Sequence, residues 1–160
     1  MDQYNTNNNW SLWYHSINDN SWSNSSYKSM IDINNFFDYH FIVNNFKQNH
    51  YQNGMFFLMK KDIFPNWEDP SNRMGGCMSF KVKSSNILEE WNELLLRCIT
   101  TNIMSNNNDL INGISISPKR EFNIVKIWFS ENKESDFKQN YNEFGSDFII
   151  SNSIYKKHSI

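Results

Sequence analysis

The spacing of apolar residues changes several times along this chain, and those changes limit the folds that it can adopt. Residues 113–117 and 123–130 alternate apolar and polar side chains, which is typical of strands with one buried face. Residues 86–104 repeat apolar side chains at three- and four-residue steps, which predicts an amphipathic helix. Because strands and helices are mixed without regular βαβ alternation, the pattern predicts the α+β class, an antiparallel sheet with helices on one face.

The other segments fit the same scheme. Further strands are predicted at residues 10–17, 27–31, 55–60, 78–82, 148–150 and 154–155. Helices are predicted at residues 33–41 with Asp32 as cap, at residues 86–104 after an Asn86–Glu89 capping box, and between a Ser135 cap and Gly145. Residues 44–53 are predicted to form a loop.

Length and charge place the chain among small single domains. It has 160 residues and a net charge of −2, which argues against broad binding of DNA or RNA through phosphates. Polar residues 1–9 are predicted to form a flexible N-terminal tail before a single domain at 10–160. The sequence has no signal peptide and no membrane-spanning run, so we expect a cytoplasmic monomer with free thiols at Cys77 and Cys98.

Motifs of catalysis are missing from the sequence. Residues 113–117 lack the last glycine of a G-x-S-x-G elbow, and Gly75-Gly76 lacks the Lys-Ser/Thr pair of a phosphate loop. The four histidines have no metal-ligand spacing. A nucleophilic cysteine would need a histidine and an orienting partner, and the sequence places neither near Cys77. We therefore expect no enzyme, no metal site and no cofactor.

A loop tryptophan beside acidic residues is the first candidate binding element. Pro65 and Pro70 bracket a segment that contains Trp67 and Glu68, so an ordered loop is predicted. An indole face next to a carboxylate suits a flat ligand that is cationic or rich in N–H donors. The alternative is that Trp67 packs in the core and Glu68 is a solvated charge.

Two more tryptophans fit a binding role. Trp22 lies in a polar stretch at residues 19–25, and we expect it to face a ligand or a partner. Trp128 shares a strand face with Lys126 under period-two alternation. The basic residues on or beside this face would hold phosphates; they are Lys119, Lys126 and Arg120. The alternative is that the face is polar and solvated and binds no ligand. The tryptophans in strand or helix patterns, Trp10, Trp13 and Trp91, are predicted to be structural.

The order of these motifs resembles the eukaryotic translation initiation factor 4E family, which binds the messenger-RNA cap. The resemblance rests on Trp10-Ser-Leu-Trp13, Trp22, Pro65-Asn-Trp-Glu-Asp69, Gly75-Gly76, Trp91 and Ile127-Trp128. It implies a curved antiparallel sheet of about eight strands with three helices on its convex face. It also implies cap binding in translation initiation, with no catalysis.

The same resemblance implies roles for the binding residues. Trp22 and Trp67 correspond to the tryptophans that sandwich 7-methylguanine, Glu68 to the acceptor of the guanine N1–H and N2–H groups, and Trp128 to the residue that touches the methyl group. This chemistry is consistent with the residues, because N7 methylation makes the purine cationic and strengthens its attraction to indole faces.

This chain departs from the family pattern at two surfaces. The family's phosphate-binding arginine and lysine correspond to Lys119 and Ile124, which leaves Lys126 or Arg120 to supply the second cation. The partner-docking tryptophan corresponds to Phe37 and a helix leucine to Asn92, whereas Trp91 is kept. The partner is therefore either a factor 4G-like scaffold or a divergent protein. The alternative function is that of a cap-sequestering translational repressor with an altered partner surface.

Two other interpretations stay open. Exposed tryptophan beside acids also suits a carbohydrate-binding module, although Glu68 and Asp69 are adjacent and would not flank a glycosidic bond. The composition, rich in asparagine and free of alanine, suggests a divergent copy from a parasite or a large DNA virus. A viral protein would act in the host cytoplasm.

Overall fold

The computed structural model describes residues 4–158, and its framework is a single curved sheet. In chain order the strands are β1 (Asn5–Ser16), β2 (Tyr27–Asn35), β3 (Gly54–Lys60), β4 (Gly76–Lys83), β5 (Ile111–Pro118), β6 (Phe122–Phe129) and β7 (Ile154–Lys157). They lie in the order β2-β1-β3-β5-β6-β4-β7, and every neighbouring pair is antiparallel. The predicted α+β class with an antiparallel sheet is confirmed.

Helices cover one face of this sheet, which we call the helix face. The helices are α1 (Phe36–Asn45), α2 (Gln48–Asn53), α3 (Ile87–Ile99) and α4 (Glu134–Asn140). A buried side chain from each helix (Ile42, Tyr51, Trp91 and Phe137, respectively) joins the main core. The described residues thus contain four α-helices, one more than expected. The additional helix, α2, lies in the predicted loop 44–53 because Tyr51 is buried there.

Period-two alternation divides the side chains of β6 between the two faces, as predicted. Val125, Ile127 and Phe129 are fully buried in the main core. Trp128 belongs instead to a second, smaller cluster with Phe57, Met59 and Cys77, and Trp13 packs against that cluster. The side of the sheet that carries this second cluster is called the open face.

The described residues form seven strands, whereas about eight were expected. The difference lies at residues 148–150, which do not form a strand. Phe148 makes only an isolated bridge to Phe144, and the two rings stack with their centroids 4.6 Å apart. Because Phe148 is fully buried against Phe80, core packing rather than sheet pairing explains this apolar run.

Several predicted boundaries are wrong by a few residues. The first helix begins at Phe36 and not at Ile33, because Ile33 is buried in β2 and pairs with Trp10. Its cap is Asn35, whose side chain accepts the Asp38 N–H in a capping box. The predicted tail also differs, since Asn5 to Asn9 already belong to β1; residues 1–3 lie outside the described part.

The other two helices are shorter than predicted. α3 ends at Ile99 rather than near Met104, and Thr101 follows with a left-handed φ of 56° that no helix can continue through. Asn86 occupies the cap position, but its side chain accepts no helix N–H, and its amide instead donates to Asp147 Oδ2. α4 begins at Glu134 and ends before Gly145.

Two smaller expectations concern membranes and thiols. Among the helices of residues 4–158, none has the length and apolar character to span a bilayer. Cys77 and Cys98 are both free and buried, as predicted.

Candidate functional site

A cavity on the open face brings together two of the predicted site tryptophans. Its volume is about 510 Å³, and Trp67 and Trp128 both line it. The remaining lining residues are Cys77, Ser79, Lys126, Lys156, Lys157 and His158. None of these residues carries a carboxylate, so three lysines make the cavity electropositive.

Trp128 forms a fixed wall of the cavity. It is almost fully buried on the open face of β6, where its indole Nε1–H donates to Ser115 Oγ at 2.9 Å. The Phe57 ring meets it edge-on at 6.4 Å between centroids. A buried indole N–H that has a partner does not need to reorient when a ligand arrives.

Trp67 lies on the loop between β3 and β4, and this loop is ordered, as predicted. The Asp69 carboxylate accepts the backbone N–H groups of Phe64 and Ser71 at 3.0 and 2.8 Å. The buried Asn72 amide donates to the carbonyls of Phe64 and Asn66. These bonds hold the loop while the Trp67 side chain stays 42% exposed.

The end of this loop requires glycine for steric reasons. A Cβ at Gly75 would overlap the carbonyl oxygen of Phe129. Because of this close approach, the end of the loop lies against the end of β6. Trp67 and Trp128 can therefore line the same cavity.

Glu68 lies outside the cavity, in an adjoining depression of about 340 Å³ with Asn24, Phe64 and Asp69 among its lining residues. Its side chain is exposed. Burial, with a smaller contribution from the Glu68 charge, raises the pKa of Tyr27. Glu68 therefore acts electrostatically on the part of the open face where Tyr27 contacts Trp22.

Trp22 does not line the cavity, so Trp22 and Trp67, the two tryptophans predicted to sandwich the base, do not share it. Its indole is 50% exposed and stacks on His15, with 4.0 Å between ring centroids and 8° between planes. The centroid of the Tyr27 ring lies 6.2 Å from that of the Trp22 ring. One face of the Trp22 ring is thus occupied by a side chain of the same protein.

Of the three predicted phosphate-binding residues, only Lys126 reaches the cavity. Lys119 and Arg120 are exposed in the turn between β5 and β6. The structure instead provides Lys156 and Lys157 of β7, which sequence reasoning missed. Two consecutive lysines directly after the predicted strand 154–155 were the available signal, but only the pairing of β7 with β4, which sets Lys156 opposite Cys77, locates them.

A histidine lies beside Cys77 after all. The His158 Nδ1 atom is 2.8 Å from the Asn72 carbonyl, which can only accept. The ring proton is therefore on Nδ1, and Nε2 accepts from the Cys77 thiol at 3.0 Å. The sequence could not indicate this pair because its members are 81 positions apart.

Both members of this pair are held in their neutral forms. Burial raises the pKa of the Cys77 thiol to about 12, although the Lys126 charge opposes the shift. Burial also lowers the pKa of His158, and the nearby Lys126 and Lys156 charges add to that effect. A neutral thiol is a poor nucleophile. The pair forms an uncharged wall of the cavity, and the lysines give the cavity its positive charge.

The predicted partner-binding residues lie on the helix side of the molecule. Phe37 is 65% exposed on α1, and the Tyr4 ring lies 5.4 Å from it. Trp91 is fully buried in α3, so it supports this surface from beneath. The half-buried Asn92 is linked to α1, because its backbone carbonyl accepts the Tyr39 hydroxyl at 3.2 Å.

A metal centre is not seen in the described part of the chain, which contains no group of three or more potential metal ligands. The cavity is thus suited to a ligand that combines a flat ring, placed against indole faces, with an anionic group near the lysines.

Comparison with known proteins agrees with this geometry. The family model described as "Eukaryotic initiation factor 4E" matches residues 5–158. Eukaryotic translation initiation factor 4E of Dictyostelium discoideum is 30% identical over 128 residues, which cover 76% of this chain and 50% of that protein. The Saccharomyces cerevisiae protein of the same name is 35% identical over 80 residues, 48% of this chain and 37% of its own length. The chain therefore spans half or less of the length of these curated relatives.

Solved structures share the fold at lower identity. A complex of Caenorhabditis elegans eIF4E-3 with the 4E-binding protein Mextli and a cap analog has a TM-score of 0.72 at 23% identity, covering 80% of this chain and 75% of that one. Ascaris suum eIF4E-3 with an m7G cap has a TM-score of 0.74 at 20% identity, covering 85% of this chain and 78% of that one.

Proposed function

Because this chain belongs to the eukaryotic initiation factor 4E family, we propose that it binds the 7-methylguanosine cap of messenger RNA. It would act in translation initiation as a binding protein and not as an enzyme. The observation that carries the proposal is the lysine-lined cavity on the open face, with the rings of Trp67 and Trp128 in its wall. That several solved relatives are bound to caps or cap analogs supports it further.

The methylated base is assigned to the tryptophans. Methylation at N7 leaves the purine cationic, and cations are attracted to indole faces. We assign Trp67 and Trp22 to the two faces of the base and Trp128 to its methyl group. Trp67 and Trp22 are both partly exposed, so each has ring surface to offer. Trp22 would have to approach the base from outside the present cavity.

Glu68 is assigned to the N1–H and N2–H donors of guanine. Within residues 4–158 its carboxylate has neither a hydrogen bond nor an ion pair, so both oxygens are available. A hydrogen bond to a charged acceptor is worth about 1.5–3 kcal/mol. Asp69 is not available in this way, because backbone N–H groups occupy its carboxylate.

The phosphates of the cap are assigned to Lys126, Lys156 and Lys157. All three line the cavity beside the indoles, whereas Lys119 and Arg120 lie in the exposed β5–β6 turn. This cluster of cations also favours a phosphorylated ligand over the neutral sugar of a carbohydrate-binding module.

Titration with 7-methyl-GTP tests the proposal. Saturable quenching of tryptophan fluorescence is expected, with at least tenfold weaker binding of GTP, because GTP lacks the cationic base. Trp67→Ala should weaken binding by about 10- to 100-fold, the loss of one stacking contact. Met74→Ala is the matched control, since Met74 is exposed on the same loop but does not line the cavity. Equal affinity for GTP, or no saturable binding, would contradict cap recognition.

A second candidate keeps cap binding but changes its consequence. Phe37 and Asn92 stand on the helix side where the family resemblance implies scaffold docking, and Phe37 is strongly exposed. A factor 4G-like scaffold or a divergent partner would bind there. In a pull-down with a factor 4G peptide on cap-loaded protein, strong capture supports an initiation factor. Retained cap binding without capture supports a cap-sequestering repressor.

A further inference from the structure

His15 is buried in an unusual way for a polar side chain. It has no solvent exposure, and neither ring nitrogen has a hydrogen-bond partner among residues 4–158. Its neighbours across the sheet are Tyr27 on β2 and Met55 on β3. Buried polar atoms are nearly always paired, and each exception calls for an explanation.

The ring of His15 is used for stacking. Trp22 lies parallel to it at 4.0 Å between centroids and 8° between planes, and Tyr27 meets its edge at 4.9 Å. His15 therefore forms the second layer of a stack whose outer layer is the half-exposed indole of Trp22. The free face of that indole is directed away from His15.

The loop that carries Trp22 is held by hydrogen bonds beside it. The Asp19 carboxylate accepts the N–H and the hydroxyl of Ser21 at 2.9 and 2.7 Å. Trp22 then has a left-handed φ of 51°, which is rare for a bulky residue. Because the adjacent residues are serines and asparagines, the rings of His15 and Tyr27 are what orient the indole.

We infer that His15 is a positioning residue, which holds the Trp22 indole flat so that its free face can stack on a planar cationic base. This inference rests on the proposed cap-binding function. A preoriented ring avoids the loss of rotamer freedom that an unsupported loop tryptophan would undergo on binding.

Two substitutions separate stacking from packing. His15→Phe keeps a flat ring and removes the unpartnered nitrogens, so the affinity for 7-methyl-GTP should stay within about twofold of wild type. His15→Leu fills the same space without a flat ring and should weaken binding about three- to tenfold, the cost of one rotamer restriction. Isothermal titration measures both affinities, and thermal unfolding checks that both variants are folded. Equal affinities of the two folded variants would overturn the inference.

A measurement without ligand keeps the inference separate from the function. With 5-fluorotryptophan incorporated, the fluorine resonance of Trp22 can be identified by its loss in Trp22→Phe. In His15→Phe the resonance should keep a distinct shift, whereas in His15→Leu it should move towards the position found in unfolded protein. If wild type fails to bind 7-methyl-GTP, the proposed function is wrong. An unchanged Trp22 resonance in His15→Leu means that the positioning role is wrong.

Discussion

Adjacent acidic residues on one loop have different tasks in this molecule. Glu68 is exposed and makes no hydrogen bond or ion pair in the described residues, whereas Asp69 is a structural acceptor for the N–H groups of Phe64 and Ser71. The sequence shows two neighbouring carboxylates beside Trp67. Only the hydrogen bonds of the loop distinguish the one available to a ligand from the one required for folding.

These roles predict opposite effects for two conservative substitutions. Glu68→Gln should weaken binding of 7-methyl-GTP about tenfold, because it removes a charged acceptor, and should leave the unfolding free energy unchanged. Asp69→Asn should lower the unfolding free energy by about 1–3 kcal/mol, because the loop loses charge-assisted bonds. Urea denaturation and isothermal titration measure the two effects. The assignment is wrong if Glu68→Gln destabilises the protein and Asp69→Asn does not.

At the scale of the element, β7 contributes more to the site than its four residues suggest. It pairs with β4 at the end of the sheet, which brings Lys156 and Lys157 to the cavity. The Gly75 carbonyl accepts the His158 N–H at 3.0 Å, so the pairing continues past the end of the strand. A predicted strand of two residues, 154–155, gave no indication of this role.

Removing the β7 lysines should affect phosphorylated ligands selectively. The double substitution Lys156→Ala with Lys157→Ala is expected to weaken 7-methyl-GTP binding about tenfold and to reduce its salt dependence. Binding of 7-methylguanosine, which has no phosphate, should change little. Lys119→Ala with Arg120→Ala is the control and should leave both affinities near wild type. Titrations at two salt concentrations measure these effects, and the reverse ranking of the two double variants would contradict the phosphate assignment.

At the scale of the whole molecule, the sheet separates two surfaces with different chemistry. The helix face holds the main core, and the open face holds the small cluster around Trp128 together with the cavity. His158 and Cys77 link the C-terminal segment to that cavity. Protonation of His158 at Nε2 would therefore remove the hydrogen bond that this nitrogen accepts from the Cys77 thiol.

The unfolding free energy should depend on pH through His158. Burial lowers the pKa of His158 in the folded protein, so below about pH 6.5, the ordinary histidine value, the unfolded chain binds a proton more readily. Stability from this group is present above that pH and is lost as the pH falls through it. Denaturation at pH 7.5 and at pH 5.5 should show that the unfolding free energy falls more between these pH values in wild type than in His158→Gln. The control His40→Gln, at an exposed histidine, should show the same decrease in unfolding free energy as wild type. A decrease in His158→Gln as large as that of wild type would contradict the role of His158.

The sequence by itself determined the α+β class, the alternation that directs Trp128 and Lys126 to one face of β6, and the ordered loop of Trp67. Each of these depends on residues close together in the chain, whose period or turn chemistry is visible locally. The prediction of a strand at 148–150 is wrong because an apolar run does not reveal whether it pairs with a neighbouring strand or packs in the core. Tertiary structure decided that β7 pairs with β4, that His158 meets Cys77 and that Trp22 stacks on His15. Those contacts join segments that are distant in the chain. Strand order and ring packing bring these segments together, and no local sequence pattern encodes either.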